Sequence, residues 1–260
     1  MSNDRNHEVY TESMAHSIWD KAFFMDKIGD ADTVIDFGCA DGSMIHMLRG
    51  LFPKKKFYGY DNDPQMISLA KMKYGYEGWW QECELDEMID NVLKSGAKSI
   101  CLNFSSVLHE VFSVSGGIAA IRSILTYLPV DYISIRDMYY HVDEDYPIFV
   151  SLPSEFILQF DQNKVMEFVM RYGQLNNWKN IVHFLMKYQW INNGWEEELN
   201  ENYFSWTKRE FLGCIRTCWR GDVVFEAHYQ LPHLCYRWFR DYGIWIPDIH
   251  THAQFVLARH

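Results

Sequence analysis

The sequence predicts an α/β protein built on a doubly wound, mostly parallel seven-stranded sheet, with helices on both faces and a helical insertion after the fifth strand. Three observations carry this. Over the first two thirds of the 260 residues, short β-branched runs alternate with amphipathic stretches, the pattern of a parallel sheet covered on both faces. From about Pro147 to Phe204 the rhythm becomes helical, with no convincing strand. Two further strand candidates then close the chain.

The first five strands are read at Thr33 to Phe37, Lys56 to Tyr60, Gly78 to Gln81, Lys98 to Phe104 and Tyr132 to Asp137. Helical spacing lies between them at Met44-Leu48-Leu51, Met66-Leu69-Ala70 and Ile118-Ile121-Leu125. In the insertion, Trp178, Ile181, Val182 and Leu185 share one helical face, and Asn192-Asn193-Gly194 supplies a stop signal. The core resumes at Thr207, where TKRE has the form of a capping box with Thr207 at the N-cap and Glu210 three residues on. The last strands, Val223 to Gln230 and Ala253 to Ala258, flank an aromatic segment from Leu234 to Trp245. The expected organisation is a helical segment over 1–30, a ligand-binding core over 31–142, a helical insertion over 143–205 and the rest of the core over 206–260.

A chain with 48% hydrophobic residues can bury one large core. Its net charge of −11 repels polyanions, so a small-molecule partner is expected ahead of nucleic acid. The first residues lack the apolar core of a signal peptide, and no segment reaches the roughly 18 apolar residues of a membrane span. A cytoplasmic protein without membrane contact is therefore expected. The six cysteines form no CxxC pair, as suits reduced thiols. His250-x-His252, Cys214-x3-Cys218 and the group His228, His233, Cys235 give no compact four-ligand set, so no metal is expected.

The segment TVIDFGCADGSM reads as a buried strand, a glycine-bearing turn and a helix start, in which backbone at Gly38 and Gly42 can approach a ligand closely. A dinucleotide fingerprint would need glycine at three positions that here hold Gly38, Ala40 and Ser43. A P-loop would need a Lys-Ser or Lys-Thr pair, which is missing. The next strand ends at Asp61, one βαβ step on, where a carboxylate can accept both hydroxyls of a ribose.

These residues resemble motif I and the second motif of class I S-adenosylmethionine-dependent methyltransferases, a Rossmann-like family, with Asp36, Gly38, Gly42 and Asp61 in place and Ala40 as the departure. The resemblance implies S-adenosyl-L-methionine as cofactor, with Asn62 and Met66 near the adenosine and Gln81 as a polar candidate for the adenine amine. Strand four and its exit, ICLNFSSVLHEVF, look like the segment where the family closes over the methionine end, which brings in Asn103 and Phe104. Asn103-Phe104-Ser105-Ser106 lacks both prolines of the amino-group DNA methyltransferase motif, so exocyclic base amines are not indicated.

Methyl transfer needs alignment and exclusion of water, and an acceptor that loses a proton needs a base as well. His109, Glu110, Asp137 and His141 stand at or just beyond carboxyl ends of strands, where open α/β sheets bind ligands. The expected activity is methyl transfer to a small molecule or a specific side chain, with the insertion as acceptor lid. An RNA or protein methyltransferase, or a non-catalytic interaction protein of the same fold, are the alternatives. The insertion could equally pad the domain or form a homodimer contact.

Overall fold

The computed structural model describes residues 18–75, 78–81, 84–113, 117–140, 152, 154–247 and 249–260. Among them, seven strands form one sheet in the order β3-β2-β1-β4-β5-β7-β6. The strands are β1 (Thr33–Phe37), β2 (Lys56–Asp61), β3 (Trp79–Gln81), β4 (Ile100–Ser105), β5 (Val130–Met138), β6 (Gly221–Tyr229) and β7 (His252–Arg259). The first five pair in parallel, with Asp36 opposite Gly59 on one side and Asn103 on the other. β7 runs antiparallel to β6, since Thr251 N–H donates to the Tyr229 carbonyl at 3.1 Å and His260 N–H to that of Arg220 at 3.4 Å. β1 is buried along its whole length, which explains its unbroken TVIDF run. β5 starts at Val130, two residues before the expected Tyr132, because a register irregularity at Ile100/Cys101 lets Val130 pair with Ile100.

The chain divides into two compact units. One comprises the described residues up to Asp137 with Ser205–Ala227 and Gln254–His260. Its helices are α1 (Ile18–Lys21), α2 (Ser43–Leu51), α3 (Pro64–Tyr74), α4 (Leu85–Lys94), α5 (Leu108–Ser113), α6 (Gly117–Tyr127) and α11 (Lys208–Ile215). Their starts and stops are locally encoded. For α3, the Asp63 carboxylate accepts Gln65 N–H, Pro64 occupies the first turn, and Gly75 closes the helix in the left-handed region. For α11 the N-cap half of the predicted box forms, with Glu210 N–H donating to Thr207 Oγ1 at 3.2 Å, while the Glu210 carboxylate accepts from the Thr207 hydroxyl at 2.8 Å. The unit's core packs Phe24, Ile45, Leu48, Phe57, Trp79 and Val256 around β1.

The other unit comprises Met138–Phe204 and His228–Ala253. It holds α7 (Ser154–Ile157), α8 (Gln162–Tyr172), α9 (Trp178–Tyr188), α10 (Trp195–Asn200) and α12 (Pro232–Tyr242). Ile181, Val182 and Leu185 form the buried face of α9 as the spacing predicts. Gly194, read from sequence as a stop, instead caps the start of α10 at φ 92°. The aromatic segment is helix α12, bounded by Pro232 at its first turn and Gly243 at its end. Among the described residues no helix is long and apolar enough to cross a membrane.

Candidate active site

Beyond β1 the backbone turns through three left-handed residues, Gly38 at φ 77°, Ala40 at φ 47° and Gly42 at φ 76°. A Cβ at Gly38 would stand 2.5 Å from Val107 Cγ2, and one at Gly42 would stand 2.4 Å from the Trp79 ring. The protein's own side chains thus already require both glycines. Ala40 is the non-glycine in this region, and its N–H donates to Asp61 Oδ2 at 2.8 Å. The other oxygen of Asp61 accepts Asp63 N–H at 2.9 Å. Burial raises the Asp61 pKa while these amides oppose the shift. The Asn62 amide adds to these two, so of the four acceptor positions on the carboxylate one remains for an outside donor. Gln81 is the register partner of Asp61 on β3. Met66 is buried in the first turn of α3, and Asn62 is exposed beside Asp61.

A cleft of about 420 Å3, counting its open mouth, is lined by Lys21, Asp36, Gly38, Ala40, Met44 and Ser105 among others. Burial pushes the Asp36 carboxyl up to about 7, against the Asn103 hydrogen bond and the Lys21 charge, with Asp61 adding to the rise. Asn103 Nδ2 donates to Asp36 Oδ1 at 2.8 Å. Burial and then the Arg136 guanidinium bring Lys21 down to about 8, while Asp36, Asp137 and Asp20 act the other way. Burial also pushes the Cys39 thiol well up, so it is not a thiolate. Asn103 Oδ1 and Ser105 Oγ are buried with no hydrogen-bond partner among the described residues. Phe104 does not line the cleft: its ring is fully buried against Phe37 and Phe211.

The structure brings His109 and Asp137 together. Asp137, wholly buried, accepts His109 N–H at 3.0 Å through Oδ2 and faces ring Nδ1 at 2.8 Å through Oδ1. That contact assigns the proton to Nδ1 and leaves Nε2 as the acceptor. Glu110 Oε1 lies 3.9 Å from Nε2. The two residues are 28 positions apart, joined because β4 and β5 are neighbours with Ser105 opposite Arg136. His141 lies outside the described residues. Sequence reasoning named neither Lys21 nor Ser105 as a candidate, although both line the cleft. Ser105 lies inside the segment singled out at β4 and its exit, whereas no local signal marks Lys21 as buried.

The strand order, the antiparallel β7 and the glycine-bearing turn define a class I methyltransferase fold. No family model and no curated protein matches the sequence. Similar solved structures include an S-adenosylmethionine-dependent methyltransferase from Anabaena variabilis, 12% identical over 94% of this chain and 83% of that one, TM-score 0.49. Another from Mesorhizobium loti is 12% identical over 94% and 98%, TM-score 0.49. Geranyl diphosphate C-methyltransferase from Streptomyces coelicolor, solved with Mg2+, geranyl diphosphate and S-adenosyl-L-homocysteine, is 14% identical over 97% and 84%, TM-score 0.49.

Proposed function

We propose that the chain is an S-adenosylmethionine-dependent methyltransferase that methylates a small molecule or a specific side chain at an atom that loses a proton. The observation that carries this is one sheet edge bearing Asp61 at the end of β2, the Gly38 turn after β1, and Asp137 near the end of β5 paired with His109 beyond β4. The residues fit the cofactor: Asp61 keeps an acceptor position for a ribose hydroxyl, and Ser105 Oγ, which lines the cleft, and Asn103 Oδ1 are buried polar atoms without a partner among the described residues. Asp36, the Gly38–Gly42 turn, Asn62, Met66 and Gln81 would complete its surroundings.

When bound, S-adenosylmethionine supplies the methyl group and a thioether leaving group. Asp137 holds the His109 ring in one tautomer, and Nε2 takes the proton that an acceptor hydroxyl, thiol or ammonium releases. Burial of both side chains excludes water from that transfer. We assign acceptor choice to the helical unit because it follows Asp137 directly in the chain. The net charge of −11 favours small acceptors over nucleic acid.

Calorimetry with S-adenosylmethionine, S-adenosylhomocysteine and NAD tests the cofactor, and labelled methyl transfer to phenols, carboxylates, amines and thiols tests the acceptor. Binding of NAD with no response to either adenosyl compound sinks the proposal.

A further inference from the structure

Ser106 is the first residue past β4, and its backbone is left-handed at φ 59°. With Ala40 it is one of the two non-glycine residues in that region among the described residues, a conformation that a Cβ disfavours. Strain of this kind persists only where the surroundings hold it, and it marks geometry that is put to use. Here the holder is Arg136. Its carbonyl accepts Ser106 N–H at 2.7 Å, and its guanidinium donates through Nη1 to Ser106 Oγ at 2.8 Å. One residue of β5 thus grips the backbone and the side chain of the turn together.

The guanidinium is itself fixed. It is buried, and its Nε donates to Asp20 Oδ2 at 2.8 Å, while the other Asp20 oxygen accepts Gln254 Nε2 at 2.8 Å. Contacts therefore run from β7 through α1 and β5 to the exit of β4. Beyond Ser106, Leu108 opens α5, and His109 meets Asp137, the residue that follows Arg136. Successive strand residues face opposite ways, so Arg136 and Asp137 take hold of the β4 exit at two separate points. A rotation at Ser106 would swing the whole of α5 as a lever, and the 2.8 Å contact at His109 Nδ1 tolerates roughly a few tenths of an ångström.

We propose that Arg136 and Ser106 are positioning residues for His109: by holding the β4 exit in its left-handed turn they keep the imidazole on Asp137 with its proton on Nδ1. The catalytic meaning of this grip rests on the reading of His109 as the base. In that role both residues act through His109 and not on the reacting atoms.

The test is long-range proton–nitrogen correlation spectroscopy of the full chain labelled at histidine, with His109 assigned through His109→Gln. The wild-type ring is expected as a single tautomer protonated at Nδ1, with a proton that exchanges slowly with water. Ser106→Ala removes the hydroxyl, and should speed that exchange by roughly tenfold and admit the other tautomer. Ser106→Asn accepts the left-handed turn and offers the guanidinium a side-chain oxygen, so it should restore part of the protection. A merely structural role would lower the melting temperature of Ser106→Ala and leave the His109 signals of the folded protein unchanged, which overturns the proposal. A wild-type ring protonated at Nε2 overturns it too. Should Ser106→Ala fail to fold, Ser106→Gly removes the same hydroxyl while easing the turn: the same loss of protection is expected, and unchanged exchange refutes the grip. No acceptor enters these measurements, so the base reading fails separately, through undiminished methyl transfer by His109→Gln, and that result leaves the grip standing.

Discussion

Each unit of the molecule buries a lysine, and the two are treated differently. Lys187, fully buried in α9, donates to the carbonyls of Glu198 and Glu201 at the end of α10 and lies 3.7 Å from the centre of the Tyr203 ring. The Tyr203 hydroxyl in turn donates to buried Glu198, and Tyr203 N–H to His183 Nε2 at 3.3 Å. The helix end and the ring face both favour a cation, so this charge is neutralised within its own unit. Lys21 faces a cleft, with the repelling Arg136 and the attracting Asp36, Asp137 and Asp20 around it. Lys187 is met by a helix end and a ring face, whereas Lys21 stands among carboxylates at a cleft.

The strongest way to break this contrast is to remove each lysine and measure stability. Lys187→Met leaves two buried carbonyls and the Glu198–Tyr203 pair without their cation, a loss of about 3–5 kcal/mol for breaking a buried charge network. Its melting temperature should fall by roughly 6–20 °C, at about 2–4 °C per kcal/mol for a chain of this size. Lys21→Met should change melting by no more than a few degrees, since an apolar side chain of similar length avoids the desolvation that lowers the lysine pKa. Equal losses in the two variants would erase the distinction.

A second effect, about 2–4 kcal/mol, sharpens what the glycine turn is for. Gly38→Ala combines a left-handed residue with an overpacked contact against Val107. If packing sets the requirement, Gly38→Ala with Val107→Ala recovers part of the stability in urea unfolding. If ligand approach alone sets it, Gly38→Ala keeps full stability and loses only cofactor affinity.

The third effect is on binding. Asp61→Ala removes an acceptor for ribose and releases Ala40 from its left-handed position, so S-adenosylhomocysteine affinity should fall at least roughly tenfold, at ~1.5–3 kcal/mol per charged hydrogen bond. It should weaken 5′-methylthioadenosine, which keeps the ribose and lacks the amino acid, to the same degree, and a loss confined to S-adenosylhomocysteine would move the ribose away from Asp61.

These residues also show what sequence can carry. Gly38, Gly42 and Asp61 are legible because backbone conformation and strand ends constrain residue type locally. The capping box at Thr207 is legible for the same reason. His109 and Asp137 could each be singled out by position, but their hydrogen bond depends on β4 and β5 being neighbours, a long-range fact. Phe104 was drawn in by adjacency to Asn103, yet alternation along β4 sends its ring into the core. Lys21 was invisible because its burial depends on where the whole of α1 docks, and Asp20 fixes that through Arg136 and Gln254, 116 and 234 residues away.

The last expected effect, the one that depends on pH, concerns Asp36, the acidic neighbour of Lys21 in the cleft. Its pKa is raised to about 7 by burial, against 3.8 for the free side chain. Between about pH 4 and pH 7 the unfolded chain therefore releases this proton while the folded chain keeps it. The group's contribution to stability is greatest below pH 4, declines as pH rises through that window, and is lowest above about 7. Asp36→Asn does not titrate and keeps an oxygen for the Asn103 amide. It also buries an amide with new donors to satisfy, a cost that is the same at every pH and cancels from the comparison. The variant should thus gain up to ~3 kcal/mol on the wild-type protein between pH 4.5 and pH 8, read as the change in their stability difference by urea unfolding at the two pH values. A difference that stays constant would mean that Asp36 is ionised throughout, held by Lys21 as a structural ion pair, and the cleft lysine would then resemble Lys187.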